Sequence, residues 1–194
     1  MVLRADEVRN AARRARQRAS KSDEALLREA RDTAKTKFDI FLSHSHQDRE
    51  LVLGAKQLIE ESGRTVYVDW IEDARLDRSK VSREHADKLR VRMRQCDTLF
   101  YAHTPSASVS KWCPWELGYF DAFSHPDCQV YVLPILEGGE RYEGQEYLSL
   151  YETVDLSTYH HRPRRVREYR AAEQKRLADA LGMSLRNPLT RRIF

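Results

Sequence analysis

Between Phe38 and Leu136 the chain alternates short, mainly apolar runs with longer stretches in which apolar residues recur every three or four positions. The runs are Phe38–Ser43 (FDIFLS), Thr65–Trp70 (TVYVDW), Thr98–His103 (TLFYAH) and Gln129–Leu136 (QVYVLPIL), with Thr153–Leu156 a short fifth. The stretches between them carry helical spacing. Leu51, Ala55, Leu58 and Ile59 follow a capping Asp48 and stop at Ser62-Gly63. Ala86, Leu89, Met93 and Cys96 share a face between Ser82 and Cys96, and a third helix spans Trp112–Phe123 with Pro114 in its first turn. Strands that are apolar along their whole length are strands buried on both faces. The pattern therefore predicts an α/β fold with a central parallel sheet covered by helices on both sides.

The two ends differ from this middle. Residues 4–35 are rich in Ala and Arg and free of Gly and Pro, which reads as one or two exposed helices broken near Ser20-Lys21-Ser22-Asp23, where Ser22 or Asp23 caps the second. Apart from alanines their apolar positions are Val8, Leu26 and Leu27, too few for a core of their own. After a Gly/Glu loop over Gly138–Gly144, Pro163 opens a last helix with Val166, Tyr169, Leu177 and Leu181 on one stripe, ending at Gly182. The expected organisation is a basic helical extension over 1–36, an α/β domain over 37–158 and a basic helical extension over 159–194.

Charge sharpens that division. The net +4 resolves into +5 for residues 1–37, −8 for 38–159 and +7 for 160–194. Basic ends suit either nucleic acid or the acidic middle of this chain or a neighbour. They interleave no stacking aromatics and carry no nucleic-acid motif, so docking on the acidic middle is the reading taken, without a nucleic-acid partner. No apolar run approaches the roughly 20 residues of a membrane span, and the N-terminus has no signal-like apolar region. A cytoplasmic protein without membrane contact is expected. Cys96, Cys113 and Cys128 are odd in number and form no CxxC pair, which predicts reduced, buried thiols. His44 and His46 have no acidic or Cys partner at a supporting spacing and read as loop donors, so no metal is expected.

Open parallel sheets bind ligands at the carboxyl ends of their strands, which directs attention to Ser43–Asp48, Ile71–Lys80 and Thr104–Lys111. Neither GxGxxG nor GxxxxGK[ST] nor GxSxG occurs, and the third strand ends in His103-Thr104 where a phospho-accepting receiver would want an acid. What survives is Trp112-Cys113-Pro114-Trp115-Glu116-Leu117-Gly118-Tyr119-Phe120, one carboxylate in an aromatic and apolar helix start. On a helix beginning at Trp112, Trp112 and Glu116 are neighbours on one face. Two readings stand at this point: a site that holds a flat ring beside a developing positive charge, or a helix-capping Glu between core tryptophans.

Phe38-Asp39-Ile40-Phe41-Leu42-Ser43-His44-Ser45-His46-Gln47-Asp48 resembles the first signature box of TIR (Toll/interleukin-1 receptor) domains, and Ser110-Lys111-Trp112-Cys113-Pro114-Trp115-Glu116-Leu117 resembles the family's second segment. The resemblance covers about Phe38 to Leu156. It implies the flavodoxin-like TIR three-layer sandwich, with the two terminal extensions outside it. Many members cleave the nicotinamide–ribose bond of NAD, and the resemblance assigns the catalytic carboxylate to Glu116. It makes Trp112 a stacking residue and Ser43, His44 and Asp48 polar substrate contacts. NAD enters as substrate, and no cofactor is implied. The segment Trp70–Asp77 departs from the Arg-Asp-x-x-Pro-Gly pattern of animal receptor-adaptor members; in catalytic members this loop reaches a neighbouring subunit, which implies a homo-oligomer and gives Arg75 either a place at that junction or a solvated one. The small format is similar to bacterial anti-phage TIR proteins of the Thoeris type, whose nucleotide product acts on a separate effector. The alternatives are a non-catalytic TIR assembly module and a nucleoside deoxyribosyltransferase-like enzyme.

Overall fold

The computed structural model describes residues 2–20, 37–72, 82–125 and 129–160. The second N-terminal helix at Ser22 or Asp23, Arg75, Cys128 and the helix opened by Pro163 lie outside the described residues. Strand β1 (Leu3–Arg4) leads into helix α1 (Ala5–Ser20). There follow β2 (Phe38–Ser43), α2 (Arg49–Glu61), β3 (Val66–Tyr67), α3 (Asp69–Glu72), α4 (Arg83–Arg94), β4 (Cys96–His103), α5 (Pro105–Ser108), α6 (Trp112–Ser124), β5 (Val130–Leu136) and β6 (Glu152–Thr153).

All strand pairs are parallel, in the order β1-β5-β4-β2-β3 with β6 also on β5. The period of two along each strand sends alternate side chains to two separate cores. Phe41, Leu99, Tyr101, Val130 and Val132 meet α4 and α6 through Leu89, Met93, Cys113, Leu117 and Phe120. Ile40, Leu42, Phe100, Ala102, Leu133 and Ile135 meet α1 and α2 through Ala5, Val8, Val52, Ala55 and Ile59. Helix, sheet and helix thus form three layers, and the apolar runs are explained by burial on both faces.

Local chemistry sets the element ends. Ser82 opens α4 by accepting from the His85 amide at 3.2 Å. Gly63 closes α2 with φ of +81°, while its amide donates to the Glu60 carbonyl. Three boundaries differ from the sequence expectation. The Thr65–Trp70 strand ends at Tyr67, because Asp69 and Trp70 enter α3 and the Asp69 side chain is buried against His44. Cys96 begins β4 instead of ending the preceding helix. The short fifth strand is Glu152–Thr153, set against Tyr131 and Val132 of β5.

The N-terminal residues contribute a strand that helical patterning does not reveal. β1 pairs with Ile135 and Leu136, so with β6 it covers the outer edge of β5 that would otherwise present unpaired backbone groups. Arg4 donates to the Gly138 carbonyl at 2.8 Å, and Arg9 pairs with Glu137. Arg16 reaches Glu50 at 3.2 Å and Arg14 reaches Glu61 at 3.4 Å. The basic arm docks on acids of the middle segment in the same chain. Arg9 also holds the Glu137 carboxyl below its ordinary range. These pairs are exposed and salt-screened, so the apolar contacts of Val8, Ala11 and Ala12, all fully buried, carry the docking energy.

Candidate active site at the carboxyl ends of the strands

The strand order reverses between β2 and β4: β3 lies outside β2, and the chain then crosses to β4 on the other side. In open parallel sheets that reversal opens a crevice at the carboxyl ends of the two strands. Ser43 ends β2, is in register with Tyr101 of β4, and both face the α6 layer. Phe41 and Ser43 of β2 and Leu99 and Tyr101 of β4 therefore line the floor beneath α6.

Ser110 caps α6, its Oγ accepting from the Trp112 and Cys113 amides, each at 3.3 Å. The helix starts at Trp112, which places Glu116 one turn on and on the same face. At the fifth helical position Glu116 lies beyond the four free amides, so it is not an N-terminal cap. Its carboxylate has no solvent exposure, and Oε2 accepts from Ser43 Oγ at 2.6 Å. That length is typical of a charge-assisted hydroxyl–carboxylate bond. Trp112 is half-buried, with its ring set edge-on to Trp115 at 5.4 Å.

Two further contacts fix the surrounding loops. His44, fully buried, holds the Leu42 carbonyl with Nδ1 at 2.7 Å and faces Asp69 Oδ1 with Nε2 at 3.4 Å. Since a carbonyl only accepts, the proton on that side belongs to Nδ1. The pair joins the end of β2 to the start of α3. Thr104 donates its hydroxyl to Asp48 and accepts from the Ala107 amide at 3.0 Å, joining the β2 and β4 loops. Ser43, Trp112 and Glu116 are thus brought together, whereas His44 and Asp48 are engaged by protein partners. Arg75 lies outside the described residues, and His46 is exposed.

Several neighbours went unmarked in the sequence reading. Tyr101 is fully buried, and burial pushes its phenol well up, with Tyr147, Cys113 and Glu116 adding to the effect. The period-two pattern of β4 could have placed it beside Ser43. Tyr142 and Gln145 come from an irregular segment and Tyr147 from the short 3-10 helix Glu146–Leu150 that follows it, so no periodicity points to them. Among the described residues no group of three or more His, Cys, Asp or Glu side chains is arranged to hold a metal ion.

A model of the TIR domain family matches residues 40–170, more than half of the chain. The chain belongs to the TIR domain family. Over 123 residues it is 51% identical to a Bacillus cereus (strain MSX-D12) protein named as a probable 3' cyclic ADP-D-ribose synthase, ThsB', covering 62% of each chain. Over 83 residues it is 28% identical to a Cytobacillus dafuensis protein provisionally named cyclic ADP-D-ribose synthase TIR2, covering 42% of this chain and 22% of that one. The chain thus spans less than two thirds of the length of these curated relatives. Among solved structures it is similar to the TIR domain of the Toll-related receptor TRR-2 from Hydra magnipapillata, at 16% identity and a TM-score of 0.45, covering 75% of this chain and 99% of that one. The TIR match begins inside β2 and takes in Ser43, Trp112 and Glu116, while β1 and α1 precede it. No helix among the described residues is long and apolar enough to cross a membrane.

Proposed function

We propose that this TIR domain cleaves the nicotinamide–ribose bond of NAD+ and passes the ADP-ribosyl group to water or to an atom of the same molecule, giving ADP-ribose or a cyclic ADP-ribose. The observation that carries this reading is the Glu116 carboxylate, buried at the sheet's switch point and held by Ser43 at 2.6 Å. The names of two curated relatives, one a probable and one a provisionally named cyclic ADP-D-ribose synthase, support it.

The chemistry follows from the bond. Its C–N cleavage passes through an oxocarbenium-like ribosyl cation, and nicotinamide leaves as a neutral molecule, so no general acid is required. A carboxylate already fixed in a low-dielectric site stabilises that cation without reorganising. Ser43 holds Glu116 in place, and the Trp112 ring supplies a flat surface for a substrate ring. Stacking there folds the dinucleotide back on itself and favours cyclisation over hydrolysis. Glu116 has no exposure in the single chain, so substrate entry displaces the side chains above it. Assembly into homo-oligomers, with Arg75 at the junction, is the step to which we assign that opening, and the product serves as a Thoeris-type anti-phage signal read by a separate effector.

The test is incubation of the purified protein with NAD+ over a range of protein concentrations, following nicotinamide release and separating the products by mass. Turnover is expected to rise more steeply than protein concentration. A product lighter than ADP-ribose by one water marks cyclisation. No nicotinamide release from folded, assembled protein would leave a TIR assembly module. Ser43→Ala gives a second check. Loss of a hydrogen bond to a buried charged group costs about 1–3 kcal/mol, so denaturant titration should show a drop of that size and kcat a fall of roughly tenfold or more.

A further inference from the structure

His103 ends β4 at the same edge as Ser43 and has no part in the chemistry above. It is 7% exposed, and its Nδ1 is buried without a hydrogen-bond partner. Buried polar atoms are nearly always paired, so an orphan of this kind calls for an explanation. Its position supplies one. Tyr101 and His103 are two apart on β4 and point to the same face, the face on which Tyr101 neighbours Glu116 and Cys113. The Tyr142 ring stands edge-on against the imidazole, with centroids 4.9 Å apart and planes at 87°. Gln145 of the same segment is tied to the Ser108 carbonyl at 2.9 Å, which fixes the 142–147 segment over the end of β4, and it leaves its own Oε1 buried and without a partner.

On the reading that the substrate is NAD+, we propose that His103 is a specificity-determining substrate contact, its Nδ1 accepting a hydrogen bond from the carboxamide N–H of the nicotinamide ring. Desolvation lowers the proton affinity of this imidazole, which keeps it neutral. A neutral imidazole protonated on Nε2 presents a lone pair at Nδ1, which suits an amide N–H and repels a carboxylate. It is a poor match for the pyrophosphate, which calls for cationic or multiple N–H donors. The Tyr142 ring beside it offers the planar apolar wall that a pyridinium ring needs. The site then has two poles: Glu116 and Ser43 at the breaking bond, and His103 with Tyr142 at the far edge of the departing base.

The experiment compares kcat/KM for NAD+, for its analogue with a carboxylate in place of the carboxamide, and for its analogue with hypoxanthine in place of adenine, in wild type, His103→Phe and His103→Asn. Wild type is expected to prefer NAD+ over the carboxylate analogue by about tenfold or more, as sites that hydrogen-bond a substrate group do. In His103→Phe that preference should fall to within about twofold, through a raised KM for NAD+ at nearly unchanged kcat, with partial recovery in His103→Asn, which keeps an acceptor. Unchanged selectivity in both variants overturns the proposal, as does a change confined to the hypoxanthine analogue. Loss of the thermal transition in both variants makes His103 a structural residue and overturns it too. Absence of turnover by wild type removes the NAD+ reading itself and this proposal with it, whereas turnover with unaltered selectivity removes only the role of His103.

Discussion

Replacing Glu116 by Gln is expected to lower NAD+ turnover by about a thousandfold or more, equivalent to roughly 4 kcal/mol of transition-state stabilisation, and to leave the protein as stable as wild type or more so. The two halves of this result come from one fact. Glu116 has no solvent exposure, and the carboxylate accepts at 2.6 Å from Ser43. A buried charge costs folding free energy that its hydrogen bonds only partly offset, and an amide of the same shape keeps an acceptor for Ser43 at lower desolvation cost. The amide carries no charge with which to meet a ribosyl cation. Loss should appear in kcat with little change in KM, because the interaction strengthens only as the cation develops. Nicotinamide release and a thermal melt on the same preparation check both halves. A variant that keeps more than a tenth of the turnover, or that unfolds well below wild type, would make Glu116 a structural carboxylate.

The parts of this fold that showed in the sequence are those governed by local periodicity. Phe38–Ser43 is largely apolar because β2 lies between two helix layers, and Leu51, Ala55, Leu58 and Ile59 keep helical spacing because α2 packs on one of them. The site was legible where two such elements end near each other. Ser43 closes a strand and Trp112 opens a helix, so both fall at the carboxyl edge. What escaped depends on contacts between distant segments. A two-residue strand such as Leu3–Arg4 has no period to detect; it exists because the edge of β5 was open at Ile135 and Leu136. Asp69 sits in an apparent strand of sequence, and it leaves the sheet because its carboxylate faces His44, 25 positions earlier in the chain. His44 reads as a loop donor available to substrate for the same reason: Asp69, which its Nε2 faces, is distant in sequence. Tyr142 and Gln145 reach the end of β4 from an irregular segment, where only tertiary packing decides position.

The second large effect is expected at Gly54, where substitution by Ala should change sign with context. Gly54 lies buried inside α2, where α1 crosses it so closely that a Cβ would stand 1.9 Å from the Val8 carbonyl oxygen and 2.7 Å from its carbon. Those contacts are backbone, so no rotamer change relieves them. In the full chain Gly54→Ala forces α1 away from α2, costing at least the roughly 1–3 kcal/mol of an overpacked core. Part of the burial of Ala5, Val8, Ala11 and Ala12, and with it the pairing of β1 on β5, would be lost. In a chain beginning at Lys37 the obstacle is gone, and Ala at a helix-interior position is about 1 kcal/mol better than Gly. The same substitution should then be neutral or stabilising. Denaturant titration of the four proteins forms a double-mutant cycle, and the coupling between arm and glycine reads the closeness of the packing directly. Equal destabilisation in both backgrounds would mean that Gly54 answers to something other than α1. A reversal of sign would show that the chain's first twenty residues are built into the TIR fold through a contact that only glycine permits.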